Sequence, residues 1–453
     1  MTDQRPTDAP DDIGYADAMA ELEQLLAELD ADAVDIDLLG ARVNARRADH
    51  HLPGPHRARP GRGRGDRRGP QRRRRGVRWR RRGVRRRRWL VSVSQRIAAP
   101  DDTPPPAITS VAPDVIARLE VVLADERARL AAVDPTLVPL ADAVASLVLG
   151  GGKRLRPAFC HWGFVLAGGD PDDAPLLVDA CAALELLHGF ALIHDDVMDG
   201  SSTRRGRDAA HVHFANLHQA ADWRGEPRRF GEGMAIVAGD YAAVLADRMI
   251  DPAPAHVRAV WTELQIEIAA GQFLDLLHAA NADGGVEASR RIARLKSGRY
   301  TVERPLHLGV ALADGPDDLV AALGRFGRPL GEAFQLRDDL LGAFGDSAET
   351  GKPVGDDLRE GKPTALLAMA RARADADEAA ILAMVGRADL STDDIASVRD
   401  VLRATGAADA TEALIGALAE EAGAALDALD GTAPAQGLEA LRQLTQYVIW
   451  RAH

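Results

Sequence analysis

The stretch ALIHDDVMDGSSTRRGR, Ala191–Arg207, decides the reading of this chain. An apolar run ends in three aspartates, Asp195, Asp196 and Asp199, and two adjacent arginines, Arg204 and Arg205, follow in a polar loop. Leu184, Leu187, Ala191 and Val197 recur at helical spacing and predict one helix over 175–198. Asp195 and Asp199 stand four apart, so both carboxylates leave the same face, separated by one turn. Like charges at that spacing repel, and acids at a helix C-terminus oppose its dipole. On an apolar helix such a pair is costly unless cations neutralise it. Hard divalent cations, Mg²⁺ above all, suit it and share their shell with phosphate oxygens. The plainer alternative, an acidic helix end in water, has to explain a placement that is unfavourable twice over. Planar guanidinium groups likewise suit phosphate oxygens, although an isolated pair of arginines usually marks a solvated face.

Two other stretches carry related chemistry. In LGGGKRLRPAF, Leu149–Phe159, three glycines permit a tight loop before Lys153, Arg154 and Arg156, and Pro157 suits a first helical turn. The cations point at an anion near a helix N-terminus, but the spacing is not that of a Walker loop. In GEAFQLRDDLLGAFGDSAETGKPVGDDLREGKPT, Gly331–Thr364, Asp338 and Asp339 close a second apolar helix and Gln335 precedes Asp338 by about a turn. Four residues after Asp338 stands Gly342 rather than an acid, which predicts a weaker chelator than the first pair. Lys352 and Lys362 follow in a Gly/Asp-rich loop within reach of a polyanion. Between the two acidic stretches lies RLKSGRYT, Arg294–Thr301, with Lys296 and Ser297 among apolar neighbours.

Composition fixes the class. Of 453 residues, 46% are apolar and only 4% aromatic, with Ala and Leu dominant, which favours helices over strands. Helices are predicted at 113–133, 137–149, 156–168, 175–198, 233–249, 256–280, 286–312, 317–344, 363–385, 408–428 and 436–450, with no βαβ rhythm. Cys160 and Cys181 sit in apolar surroundings and read as buried thiols. No run of 18 apolar residues and no secretory leader is present, so a cytoplasmic location is expected.

Charge is uneven. Of the 56 basic and 68 acidic residues, 18 arginines and a single acid lie between Arg57 and Trp89, leaving about −29 on the rest. Residues 51–112 read as linker, Arg-rich and then Pro-rich, because mutual repulsion and Gly/Pro content defeat a core. Arginines interleaved with Trp79 and Trp89 could meet nucleic acid or an anionic membrane, and nucleic acid is a partner only through 57–89. The favoured reading is an unselected linker, since GC-rich codons read out of frame spell Arg, Gly and Pro; Val91 or Val93 is then an alternative start. Residues 1–50 read as a helical hairpin, with Met19, Leu22, Leu26 and Leu29 at helical spacing. GYADAMAELEQLLAELD with VDIDLL resembles the start of the exonuclease VII small subunit, which raises a second class, a nuclease-associated or nucleic-acid-binding protein through 13–89.

GGKRLRP, then DDVMD with RRG, then KSGRYT, then FQLRDDLLG with GKP and a final lysine resemble the trans-isoprenyl diphosphate synthases in residue type, order and spacing. The resemblance runs over about residues 110–453 and includes the closing LTQYVIWRAH. It implies an all-α isoprenoid-synthase bundle of long helices around a central cavity, over 113–453, homodimeric and Mg²⁺-dependent, with three ions per site. It implies head-to-tail condensation of isopentenyl diphosphate with an allylic diphosphate, by ionisation, condensation and elimination. By the same resemblance Asp195, Asp199, Asp338 and Asp339 hold metal, with Asp338 the main contact of the second pair. Arg204, Lys296, Gln335, Lys352 and Lys362 bind the allylic diphosphate, and Lys153, Arg156, His188 and Arg205 bind isopentenyl diphosphate. Lys296, Ser297 and Gln335 attend the carbocation. Read without the resemblance, His188 is a satisfied core histidine. Two departures stand out: Gly342 where many relatives carry Asp, and Ser297 where Thr is common. Phe190 and Ala191, a turn before Asp195, are expected to set product length. A single aromatic there is similar to geranylgeranyl (C20) diphosphate synthases, with farnesyl (C15) the runner-up.

Overall fold

A computed structural model of the protein describes residues 103–281, 285–345, 355–387 and 389–450, all within the second of two units, 87–453, into which the chain divides. The hairpin expected at 1–50, the Arg-rich run and Lys352 lie outside the described residues. The described chain is a bundle of helices: α1 Pro106–Thr109, α2 Ala112–Val133, α3 Val138–Val148, α4 Leu155–Leu166 and α5 Pro175–Asp199. A two-stranded hairpin, β1 Thr203–Arg204 and β2 Arg207–Asp208, leads to α6 Ala210–Ala220, α7 Pro227–Ile250 and α8 Ala255–Asn281. α9 Val286–Ala293 runs into a π-helical segment, Arg294–Glu303, and on into α10 Arg304–Leu312. The remainder comprises α11 Asp317–Phe344, α12 Asp356–Glu360, α13 Ala365–Arg371, α14 Ala376–Leu382, α15 Thr392–Ala404, α16 Ala407–Asp427 and α17 Ala435–Trp450.

Most predicted helices are present, and the differences have local causes. The stretch expected to be linker up to 112 already contains α1, whose Ala107 and Ile108 are buried and whose Ala107 carbonyl accepts from the Trp162 indole at 2.8 Å. The helix expected at 363–385 is two, because Asp375 caps α14 reciprocally with Glu378 and starts it afresh. α6, α12 and α15 were not anticipated. α15 carries the same reciprocal cap, between Ser391 and Asp394.

Two apolar clusters build the core. One gathers α2, α3, α5, α6, α7 and α8, and the other α11 to α17. α4 and α10 supply both: Phe159 and Leu306 face one cluster, Phe164 and Leu308 the other. α4 and α10 approach backbone to backbone, since a Cβ on Gly309 would fall on the Cys160 carbonyl oxygen and 2.6 Å from the Phe164 nitrogen. Each fully buried large side chain, such as Phe159 or Phe326, contributes about 1.5–3 kcal/mol. α5 is the one described helix long and apolar enough to cross a membrane, but it runs through the core, with Leu184, Leu186 and Leu187 at most 1% exposed. Cys160 and Cys181 are free and buried.

Candidate active site

Gly200, in the left-handed region at φ 68°, ends α5 and returns its amide to the Asp196 carbonyl. The chain then turns back through a hairpin whose two loop residues, Arg205 at φ 54° and Gly206 at φ 71°, both adopt the positive φ that a two-residue type I′ turn demands. Adjacent arginines therefore face different surroundings. Arg204 donates through Nε, at 2.9 Å, and through Nη2 to Oδ1 of Asp196, the middle aspartate, which is 2% exposed. Arg205 donates to the carbonyls of Leu147, at 2.7 Å, and Gly151, on the glycine loop before α4. Gly151 and Gly152 sit at φ 106° and 134°, and a Cβ on Gly152 would lie 3.0 Å from Arg205 Nη2.

Two cavities share a wall. The first, about 350 Å³, is lined by Asp195, Arg204, Asp275, Lys296, Ser297, Gln335, Asp338, Asp339, Asp357 and Lys362, with Lys153 at its edge. The second, about 340 Å³, is lined by Lys153, Arg156, His188, Ala191, Arg205, Gln272 and Tyr300, with an apolar side of Leu192, Ile268 and Phe334. Of the residues singled out from sequence, Asp199 and Phe190 line neither. Asp199 is joined to the first through Lys362 Nζ at 3.0 Å. Phe190 is half-buried and packs edge to face on His194, with ring centroids 4.8 Å apart.

Lys296 is set by backbone contacts. A Cβ on Gly271 of α8 would lie 2.5 Å from the Lys296 nitrogen, and one on Gly331 of α11 would lie 2.5 Å from the Gly298 oxygen. Three glycines thus let α8 and α11 close on the π-helical segment, whose extra-wide turn is a common feature of functional sites. Lys296 Nζ reaches Asp195 at 2.8 Å and Asp275 at 2.5 Å. Burial opposes the charge on Asp195, but Lys296, Lys362 and Arg204 outweigh it and hold the carboxyl at about 2. At Asp199 burial prevails over Lys362 and raises the carboxyl above its ordinary value. Burial opposes the charge on Lys362 too, yet Asp357, Asp199, Asp195 and Glu360 raise it well above the usual lysine range.

Asp339, a candidate metal ligand from sequence, lines the first cavity. It is 6% exposed, takes a hydrogen bond from Gln335 Nε2 at 2.9 Å and accepts the Ala365 backbone amide at the start of α13. Burial, aided by Asp357 and Asp338, raises its carboxyl to about 7. In the second cavity Arg156 stacks on the Tyr300 ring, 4.1 Å from its centroid, and donates to Thr301 Oγ1 at 2.8 Å. His188 Nδ1 lies 2.8 Å from the Tyr300 hydroxyl. Burial, then the charges of Arg156, Arg205, Arg204 and Arg154, push His188 well below its ordinary value, so it stays neutral in strongly positive surroundings.

Several contributors were missed from sequence. Gln272 and Asp275 in GQFLDLL repeat the signal of the opening stretch, polar groups inside an apolar helix. Arg154, grouped from sequence with the cations that point at an anion, instead sits at φ 51° before α4, pairs with buried Glu185 and donates to the Val148 carbonyl at 2.7 Å, anchoring the glycine loop. Among the described residues no three carboxylate, histidine or cysteine side chains converge on one point. That suits Mg²⁺, which usually takes one or two protein carboxylates and fills its shell with water and substrate phosphate.

The sequence matches the polyprenyl synthetase family over residues 138–402. It is 31% identical over 341 residues to a short chain isoprenyl diphosphate synthase of Methanothermobacter thermautotrophicus, covering 73% of this chain and 96% of that protein. It is 32% identical to a geranylfarnesyl diphosphate synthase of Aeropyrum pernix, covering 69% and 94%. The structure of the Corynebacterium glutamicum geranylgeranyl pyrophosphate synthase complexed with isoprenyl diphosphate and magnesium aligns with a TM-score of 0.71 at 39% identity, over 74% of this chain and 97% of that one. The family match takes in every charged residue that lines the two cavities, and the chain belongs to the polyprenyl synthetase family as a prenyltransferase.

Proposed function

We propose that this prenyl diphosphate synthase condenses isopentenyl diphosphate with allylic diphosphates and releases mainly the C20 product, geranylgeranyl diphosphate. The observation that carries the division of substrates is the pair of adjoining cavities, the first lined by five acidic and four basic residues and the second by three acidic and five basic ones. Asp195 and Asp199 on α5, with Asp338 across the first cavity, would hold Mg²⁺, three ions in all, and Arg204, Lys296 and Lys362 would take the allylic diphosphate. Lys352 is assigned the same role from sequence. Mg²⁺, when bound, stabilises the diphosphate as a leaving group. The carbon–oxygen bond to that diphosphate breaks, leaving an allylic cation in reach of the dipoles of Ser297, Gln335 and the backbone at Lys296. Lys153, Arg156, Arg205 and neutral His188 would hold isopentenyl diphosphate in the second cavity. Its double bond attacks the cation, and a proton then leaves to the departed pyrophosphate.

Support for C20 comes from the 39% identical enzyme named for that product and from Phe190 beside Ala191. Ala191 and Leu192 line the cavity, while the Phe190 ring sits on the neighbouring face against His194; its part in limiting growth is carried by its place five residues before Asp195 alone. Purified protein is incubated with Mg²⁺, isopentenyl diphosphate and each allylic primer, and the products are sized. A C20 majority, lengthened in Phe190→Ala, is expected; a C15 majority overturns the reading. We also propose that the chain forms a homodimer. Val237 and Val244 on α7, and Ile266 and Phe273 on α8, are spaced by seven and are 45–61% exposed, which suits a second copy as cover. Sedimentation equilibrium at twice the chain mass is expected, and a monomer overturns it.

A further inference from the structure

Gly342 stands one turn beyond Asp338 on α11, at the position where a third carboxylate would extend the second acidic helix. A side chain has no room there. A Cβ on Gly342 would fall on Oδ2 of Asp357 and lie 2.6 Å from its Cγ. The carboxylate of Asp357, brought in by α12 after Gly355 turns the chain at φ 73°, therefore fills the volume that an acid at 342 would use. Asp357 lines the first cavity beside Asp338 and lies 3.7 Å from Lys362 Nζ. Asp339, the neighbour that sequence offers as second ligand, is turned to other work. Its carboxyl accepts from Gln335, one turn earlier on α11, and from the Ala365 amide, which holds α11 against the start of α13.

We infer that Asp357 is a metal-ligating residue, pairing with Asp338 to hold the divalent cation on the α11 side of the diphosphate, in place of Asp339 and of the acid absent at 342. The ligand set is then split between a long helix and the connection 355–362 that also carries Lys362, so cation binding ties that connection to α11. Only hard oxygen donors are supplied, which suits Mg²⁺ bound jointly with phosphate oxygens. The inference rests on Mg²⁺-dependent diphosphate binding as proposed above.

The test titrates Mg²⁺ into protein saturated with inorganic pyrophosphate by isothermal calorimetry, for wild type, Asp357→Asn, Asp339→Asn and the double variant Gly342→Asp/Asp357→Gly. Asp357→Asn is expected to weaken at least one Mg²⁺ event by about tenfold or more, the loss seen even for outer-shell partners of metals. Asp339→Asn, which keeps an acceptor oxygen for Gln335 and Ala365, is expected to stay within about twofold of wild type, by the same scale. The double variant restores affinity, because its new carboxylate occupies the same volume. Unchanged binding in Asp357→Asn, a loss in Asp339→Asn as large as in Asp357→Asn, or no restoration in a double variant that melts like wild type overturns the assignment. A wild type that takes no Mg²⁺ alongside pyrophosphate overturns the underlying diphosphate reading instead.

Discussion

Replacing Asp339 by Asn gives a stability change whose sign and size follow from its surroundings. The folded protein raises this carboxyl from 3.8 to about 7, with burial the leading cause. Its native form thus binds a proton that the unfolded chain has already lost, and stability falls as pH rises through the interval between those two values. Above the upper value the ionised carboxylate costs the fold up to about 4 kcal/mol, and between about pH 5 and pH 8 the wild type loses about 2–3 kcal/mol from this group. Asparagine cannot ionise, yet its amide oxygen can still accept from Gln335 and Ala365. The free-energy difference between variant and wild type should therefore move by about 2–3 kcal/mol in favour of the variant across that range. Urea denaturation in chelator, at several pH values from about 5 to 8, reads it directly. Stability curves that run parallel for the two proteins would refute the argument, because they would mean that Asp339 ionises as readily inside the fold as outside.

Three further outcomes are expected. Glu126, 3% exposed, is held at about 2 by Arg129 first and, against burial, by Arg248 and Tyr241. Its contribution is present above the ordinary glutamate value and is lost as pH falls through about 2, so Glu126→Gln should cost a few kcal/mol near pH 7 and the gap should close in acid; a pH-independent gap in denaturation experiments counts against it. Glu185→Gln leaves the Arg154 guanidinium buried without its counter-ion and should cost about 3–5 kcal/mol, read as a lowered melting temperature. Lys296→Met should lower kcat about 10²-fold or more with the fold intact by circular dichroism, since it removes a positioned cation from the leaving group; unchanged turnover argues against that role.

The long helices were legible because burial imposes a 3.6-residue rhythm, and α5 and α11 carry it over 25 and 28 residues. The acidic pair Asp195 and Asp199 was legible for the converse reason, as a break in that rhythm. The π-helical segment Arg294–Glu303 was read from sequence as part of one continuous helix, and the glycines that let other helices close on it, Gly271 and Gly331, lie far from it along the chain. α6 escaped notice because its buried positions are only Phe214 and His218. α15 need not have escaped, since Ser391 and Asp394 spell its cap. Asp357 shows the deeper limit. Its place beside Asp338 depends on an absence, the missing side chain of Gly342, fifteen residues away along the chain.

The hairpin after α5 has a consequence for how the enzyme can vary. Arg204 and Arg205 are neighbours in sequence, yet one lines the first cavity and the other the second. On the proposed assignment of the two diphosphates, the turn would act as a spacer of fixed length between their binding groups. Insertion of one residue between Arg204 and Arg207 would lengthen the two-residue turn and lose the I′ geometry that sets the two arginines apart. On that assignment, changes to the apolar wall around Ala191 would alter product length, while the two-residue turn would keep the separation of the reacting partners fixed.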